Sequence, residues 1–200
     1  GSAAVLDFGR DLAVVIPVGG GSSMDAAKVM SLHAANERGD VLALGYDRED
    51  VAAGGPLIAV PTTAGTGAET NTYGVITDDA AGRKTYLGHP SLLPTWTVLD
   101  PELTVGVPPA ATAATGVDAM SHSIESLLSR NPNPFAEAIA LGVIRAVREW
   151  LPRAFRDGED LEARAQLLMA SHLAGSGQQS GTGVGLVHAL GHAIGTRGRL

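Results

Sequence analysis

Apolar positions along the chain fall into two textures that meet near residue 107. Before it they form short unbroken runs ending in glycine or proline. Beyond it they recur every three or four residues. Leu12-Ala-Val-Val-Ile-Pro-Val18 is closed by three glycines, and Leu57-Ile-Ala-Val60 is stopped by Pro61. Runs of this length and content read as strands buried in a parallel sheet. Pro17 has no N–H to give a ladder, which places it at the end of its strand. Ser22 offers an N-cap to a helix over 23–37. Residues 38–55 read as a polar connection, and 73–77 and 96–99 as further strands. The turn 78–83 is placed between those two strands, and Asp100-Pro101 closes the second. After Pro108-Pro109, the stretches 110–129, 134–155 and 161–174 have a period near that of a helix, with breaks at Asn131-Pro-Asn-Pro134 and Asp157-Gly158. The pattern predicts an α/β segment over 1–107 and an all-helical segment over 108–200.

Composition narrows the partners. The 200 residues carry 14 basic and 21 acidic side chains, a net charge of −7, which argues against nucleic acid or an anionic membrane surface. No basic run or stacking platform contradicts this. No cysteine is present, so disulfides and thiolate chemistry drop out, in keeping with a reducing compartment. Neither a secretory signal nor an apolar run long enough to span a bilayer is evident, and the expected location is the cytoplasm.

Candidate chemistry is concentrated in two pairs. Gly116-Val-Asp-Ala-Met-Ser-His122 and Gly185-Leu-Val-His-Ala-Leu-Gly-His192 each carry two polar groups four residues apart in small or apolar surroundings. Groups at i and i+4 project from one helix face. Two such helices face to face would aim the Asp118 carboxylate and up to three imidazoles, His122, His188 and His192, at one divalent cation. A solvated face or an accidental histidine pair is the alternative reading of either half alone. Strand, Gly-Gly-Gly-Ser, helix is an arrangement that binds phosphate on backbone N–H groups, although it is neither G-x-G-x-x-G nor a P-loop. Asp25 and Lys28 could simply pair along that helix. The loop Thr62-Thr-Ala-Gly-Thr-Gly-Ala-Glu69 ends the second strand, where open α/β sheets place ligands. His33, His89 and His172 stand alone and read as structural or surface groups, and Lys84 on spacing alone reads as a solvated lysine.

Four ordered motifs, Gly19-Gly-Gly-Ser-Ser-Met-Asp-Ala-Ala-Lys28, Pro61-Thr-Thr-Ala-Gly-Thr-Gly-Ala-Glu69, Ala114-Thr-Gly-Val-Asp-Ala-Met-Ser-His-Ser-Ile-Glu125 and Gly185-Leu-Val-His-Ala-Leu-Gly-His192, closely resemble the iron-containing (group III) alcohol dehydrogenases. The resemblance implies a dehydroquinate synthase-like architecture, with an incomplete Rossmann-like parallel sheet, then a helical domain, and the site in the cleft between them. It implies that Gly20, Gly21 and Ser22 hold the dinucleotide's pyrophosphate, with Asp25 belonging to the same cofactor site. Thr62, Thr63, Thr66, Asn71, Val75 and Lys84 would line the rest of the cofactor site. Asp118, His122 and His188 would hold the metal, and His192 would move a proton beside the nicotinamide instead of ligating. The implied cofactors are iron(II), or zinc at such a mixed Asp/His site, and NAD or NADP. The implied reaction is hydride transfer between a small alcohol or aldehyde and the nicotinamide, in a homodimer or larger homo-oligomer.

Departures from the family pattern sit at both ends. Family members begin several tens of residues earlier and carry a further metal histidine, in a Pro-His-Gly context, about ten residues past the position of His192. The expectation is therefore the middle of a longer enzyme. Rival readings are a glycerol-dehydrogenase-like or dehydroquinate-synthase-like enzyme, and an inactive fragment that keeps only cofactor or metal binding.

Overall fold

Parallel pairing begins where two apolar runs lie side by side. A computed structural model describes residues 14–36, 41–44, 50–78 and 81–198 of the chain, the side chains of 196–198 excepted. The first run pairs with the second through a bridge from Val15 to Leu57 and then through strands β1 (Val18–Gly19) and β2 (Ile58–Pro61). Strand β2 also pairs with Trp96–Thr97, which becomes β5 below, so the parallel sheet has the order β1-β2-β5. Leu12 and Ala13 of the first run lie outside the described residues. Pro17 is not at the end of the pairing: its carbonyl accepts from Val60 N–H at 2.9 Å, and the ladder continues to Gly19, whose carbonyl accepts from Thr62 N–H. A proline can accept in a ladder although it cannot donate, and here only the acceptor is used. Burial is one-sided along this stretch. Pro17 is buried while Ile16 and Val18 remain 53% and 59% exposed, so the run is not buried on both faces as its composition suggested.

Helix α1 (Gly21–Asn36) follows β1 at once. It starts two residues before the predicted Ser23, which puts Ser22 inside the first turn and not at the cap. Met24 packs against Ala59 and Ala68 below the loops, and Val29 and Leu32 join Leu44, Leu87 and Leu92 in a second apolar cluster. Residues 37–40 and 45–49 of the expected polar connection lie outside the described residues.

The stretch 73–99 departs from the prediction. Strand β3 (Tyr73–Asp78) turns at Gly82, where φ is +58°, into an antiparallel partner, β4 (Arg83–Gly88). The turn at 78–83 therefore makes a hairpin with β4, and β5 (Trp96–Thr97) comes later. The missed strand opens with Arg-Lys-Thr, which lacks apolar alternation, and only Leu87 and Gly88 of it are buried.

The second half is helical as the period requires. Helices α2 (Pro109–Leu128), α3 (Pro134–Arg156) and α4 (Leu161–Gly177) share a core of Ala119, Val143, Val147, Ala154, Ala163 and Leu167. Starts are set by side chains: Asn133 Oδ1 accepts from Phe135 and Ala136 N–H, and Asp160 Oδ1 accepts from Ala163 N–H. Buried Arg164 ties α4 to the start of α2 through Thr112 Oγ1 (2.8 Å) and Val107 O (3.1 Å). Beyond α4 the chain passes through a wide turn, Gln178–Thr182, to α5 (Leu186–Gly198). Gly181 and Gly183, at φ +126° and +69°, make the reversal, a backbone shape that L side chains rarely adopt. Ser126 Oγ to Thr182 Oγ1 (3.1 Å), Ser129 Oγ to Thr182 O (3.1 Å) and Asn133 Nδ2 to Ser180 O (2.9 Å) fasten the turn, which lays α5 beside α2. No helix among the described residues is long and apolar enough to cross a membrane.

Candidate metal and dinucleotide site

Asp118 and His122 stand one turn apart on α2, and His188 arrives from the first turn of α5. The His122 and His188 rings stack with centroids 4.5 Å apart and planes inclined by 16°. Their Nε2 atoms are 2.8 Å apart, and Asp118 Oδ1 lies 3.9 Å from the first and 3.5 Å from the second. Among the described residues these are the side chains grouped closely enough for one ion. Ligand atoms about 2.1 Å from a shared ion fall roughly 3–4 Å from each other. The donor set thus fits a divalent transition metal: one carboxylate and two imidazole nitrogens, close together with no Lys or Arg within ion-pair distance in the described structure.

The local electrostatics follow the same geometry. Burial opposes ionisation of Asp118, but the hydrogen bond to His188 and the nearby imidazoles outweigh it and hold its carboxyl below the usual range. Burial drives His122 below the ordinary imidazole value, with His188 pushing the same way against Asp118 and Glu125. The hydrogen bond that the protonated ring makes to Asp118 through Nε2, helped by Glu125 and opposed by burial, raises His188.

His192, which bare spacing made the equal of His188, sits apart from this group. Its ring centroid is 6.3 Å from that of His188, and its Nδ1 lies 2.9 Å from the Tyr86 hydroxyl, the two rings nearly parallel. Burial, then Lys84 and His188, lower its basicity.

These side chains form one end of a cavity of about 210 Å3, whose other end is built by the two glycine-rich loops. Gly21, Ser22 and Asp25 of α1 line it, as do Thr66, Asn71, Val75 and Lys84. The N-terminus of α1 faces this space, and its dipole and free amides suit a phosphate. Gly20, Thr62 and Thr63 lie outside the cavity lining. They belong to the contact between loops, where a Cβ on Gly20 would come within 3.1 Å of Thr63 Oγ1. Gly21 is likewise required by Thr66, whose side chain lies 2.7 Å from where a Cβ would stand.

Lys28 does more than pair with Asp25 along the helix. Its ammonium is buried and donates to Ala68 O, Asn71 O (2.9 Å), Asn71 Oδ1 (2.7 Å) and Tyr73 O (3.1 Å), tying α1 to the chain that follows the second loop. Burial lowers its pKa to about 8 and raises that of Asp25 to about 6, each partly offset by the other's charge. His89 Nδ1 contacts Ser91, and His172 Nδ1 lies 3.3 Å from buried Glu69, so both serve structure.

Two groups at the site were not singled out from sequence. Tyr86 is on the unpredicted strand β4 and had no signal. Glu125 did: Asp118, His122 and Glu125 occupy i, i+4 and i+7 of one helix, a single face.

One carboxylate and two imidazoles grouped closely enough for one ion, at the end of a cleft that begins at a helix N-terminus, define a candidate metal-binding α/β-plus-helical scaffold, and sequence comparison fixes its family. The profile of the iron-containing alcohol dehydrogenases matches residues 3–101, and that of the Fe-containing alcohol dehydrogenase family, C-terminal, matches 112–198. The chain belongs to the iron-containing alcohol dehydrogenase family. It is 44% identical over 181 residues to the "Probable alcohol dehydrogenase EutG" of Salmonella typhimurium, covering 90% of this chain and 45% of that protein. The iron-containing alcohol dehydrogenase of Thermotoga maritima superposes with a TM-score of 0.88 at 36% identity, over 98% of this chain and 53% of that one. Sulfoacetaldehyde reductase from Bifidobacterium kashiwanohense, solved in complex with NAD+, gives a TM-score of 0.82 at 31% identity, over 89% and 48%. The chain thus spans about half the length of the relatives it matches.

Proposed function

We propose that the protein is a metal-dependent NAD(P) alcohol dehydrogenase, or aldehyde reductase in the reverse direction, acting on a small alcohol or aldehyde. The observation that carries the reading is the convergence of Asp118 Oδ1 and the Nε2 atoms of His122 and His188 at one end of a cleft whose other end is a helix N-terminus between glycine-rich loops. Asp118, His122 and His188 would hold the metal, with iron(II) preferred by the family and zinc compatible with the donors. When bound, such a metal supplies Lewis-acid polarisation of the substrate oxygen. Gly21 and Ser22 present backbone donors to the pyrophosphate, and Thr66, Asn71, Val75 and Lys84 give the dinucleotide the rest of its bed. His192, whose basicity burial, Lys84 and His188 lower, would take the alcohol proton and share it with Tyr86. The hydride chemistry belongs to the nicotinamide, and the chain's task is to orient it. NAD is favoured over NADP by the NAD+ complex of the sulfoacetaldehyde reductase. The family reading brings with it a cytoplasmic homodimer or larger homo-oligomer. Lys84 is the only lysine or arginine on the described cavity wall, which favours an uncharged alcohol over the polyanion of a dehydroquinate-synthase-type lyase.

The test is alcohol-dependent formation of NAD(P)H with and without Fe2+ or Zn2+, in the protein and in His122→Ala. Turnover that needs the metal and disappears in the variant is expected. Full activity after the metal is stripped would overturn the reading.

A further inference from the structure

A carboxylate that is 6% exposed on a helix face needs strong partners, because desolvation penalises its charge. The partners described for Glu125 come from one short segment, 63 positions further along the chain. Its Oε1 accepts from the His188 backbone N–H at 3.2 Å, and its Oε2 lies 2.5 Å from His188 Nδ1. The His188 N–H belongs to the first turn of α5, where the first bond within the helix is made by Ala189 N–H to Gly185 O, so Glu125 satisfies a donor that the helix leaves over. The same anion faces the positive end of that helix. Gly185 leaves it room: a Cβ there would fall 3.1 Å from Glu125 Oε1.

We propose that Glu125 is a positioning residue for the metal site, fixing both the backbone and the ring of His188 so that the Nε2 lone pair faces Asp118 and His122. The proposal rests on the metal-dependent reading above. The logic is that of a carboxylate behind a histidine ligand. An ionised carboxylate has only acceptors, so His188 Nδ1 must carry the proton, and the neutral ring then has its lone pair on Nε2. That atom is the one 2.8 Å from His122 Nε2 and 3.5 Å from Asp118 Oδ1. With the opposite tautomer, a lone pair would point at a carboxylate and an N–H at the place of the cation. Glu125 is not among the side chains that line the cavity, so its influence passes through His188.

The experiment compares metal-stripped protein with Glu125→Ala and Glu125→Gln. Co2+ and Zn2+ are titrated against a chromophoric chelator, the visible spectrum of bound Co2+ is recorded, and the tautomer of His188 is read by 15N NMR at alkaline pH without metal. We expect Glu125→Ala to lose roughly 10–100-fold in metal affinity with an altered Co2+ spectrum. Glu125→Gln, which keeps an acceptor of the same reach, should fall between it and the parent, and His188 of the parent should carry its proton on Nδ1. Parent-like affinity and spectrum in both variants would overturn the proposal, even if their melting temperatures fell. So would an Nε2-protonated His188 in the parent, a measurement that stands if Glu125→Ala fails to fold. Failure of the underlying reading looks different: the parent itself would bind no Co2+, or His188→Ala would bind it as tightly as the parent, and both ideas would go together.

Discussion

Asp25 and Lys28 lie one turn apart on α1, and burial acts on both in the direction of neutrality. For Asp25 the folded-state pKa, about 6, is above the ordinary aspartate value of 3.8. Its contribution to stability is therefore full below that lower value and is lost as pH rises through about 6. Asp25→Asn is neutral throughout, so without cofactor it should match the parent near pH 3.5 and exceed it at pH 7.5. The gain should be about 1–3 kcal/mol, trimmed by partial exposure and by the lost attraction for Lys28. Urea denaturation at the two pH values checks this, and an equal difference at both would rule it out. Tyr86 offers a second point. Tyr86→Phe keeps the ring beside His192 and removes the hydroxyl 2.9 Å from its Nδ1. Turnover should drop several-fold, less than the ~10²–10⁴ that general acid–base catalysis supplies, with metal content unchanged. Single-turnover kinetics with a metal assay would reveal either a full loss or none. At this scale the pairs Asp118/His122 and His188/His192 were legible because helical periodicity puts i and i+4 on one face. The division of labour within the second pair was not legible from spacing and came only with the family resemblance, since Glu125 and Tyr86 reach those histidines only through tertiary contact.

Between elements, one close approach linking the two halves is backbone to backbone. A Cβ built on Gly175 of α4 would stand 3.0 Å from Gly67 Cα and closer still to Thr70 Oγ1. The second glycine-rich loop thus rests directly on α4, and that contact sets where Thr66 and Asn71 face the cleft. Gly175→Ala has nowhere to put its methyl without moving the loop and should cost about 1–3 kcal/mol. Gly142, exposed in α3 with nothing near its missing Cβ, is the control. Gly142→Ala should be stabilising by about 0.5–1 kcal/mol, because alanine loses less entropy in a helix. Thermal melts of the two variants should move in opposite directions, and a parallel shift would show that Gly175 is not a packing contact. The helices of the second half were readable to within a residue or two at most ends. The hairpin was not: β4 is held by its register with β3 and by Leu87 alone in the apolar cluster, a pattern too sparse to announce a strand.

Across the whole molecule, the three candidate ligands join segments that little else connects. Asp118 and His122 belong to α2, packed in the helical core, while His188 opens α5, whose side chains Leu186, Val187, Leu190 and Ile194 are 53–73% exposed. Apart from the site, α5 is held to the described structure chiefly through the Glu125 contacts and Tyr86. A metal held by both helices would therefore stabilise α5 far more than the sheet. A ligand that binds only the folded state adds RT ln(1 + [L]/Kd), about 2.7 kcal/mol at a hundred times Kd. Segments of low intrinsic stability take the largest share of such a gain. Removing the metal with a chelator should speed hydrogen exchange across 183–198 by at least tenfold. Exchange in β3 and in the α2–α4 core, which stand on their own apolar contacts, should stay within about twofold. Mass-spectrometric exchange on chelated and reloaded protein makes the comparison. Uniform protection of all segments by metal would mean that the ion stabilises the fold as one unit, and unchanged exchange in 183–198 would mean that His188 does not ligate it.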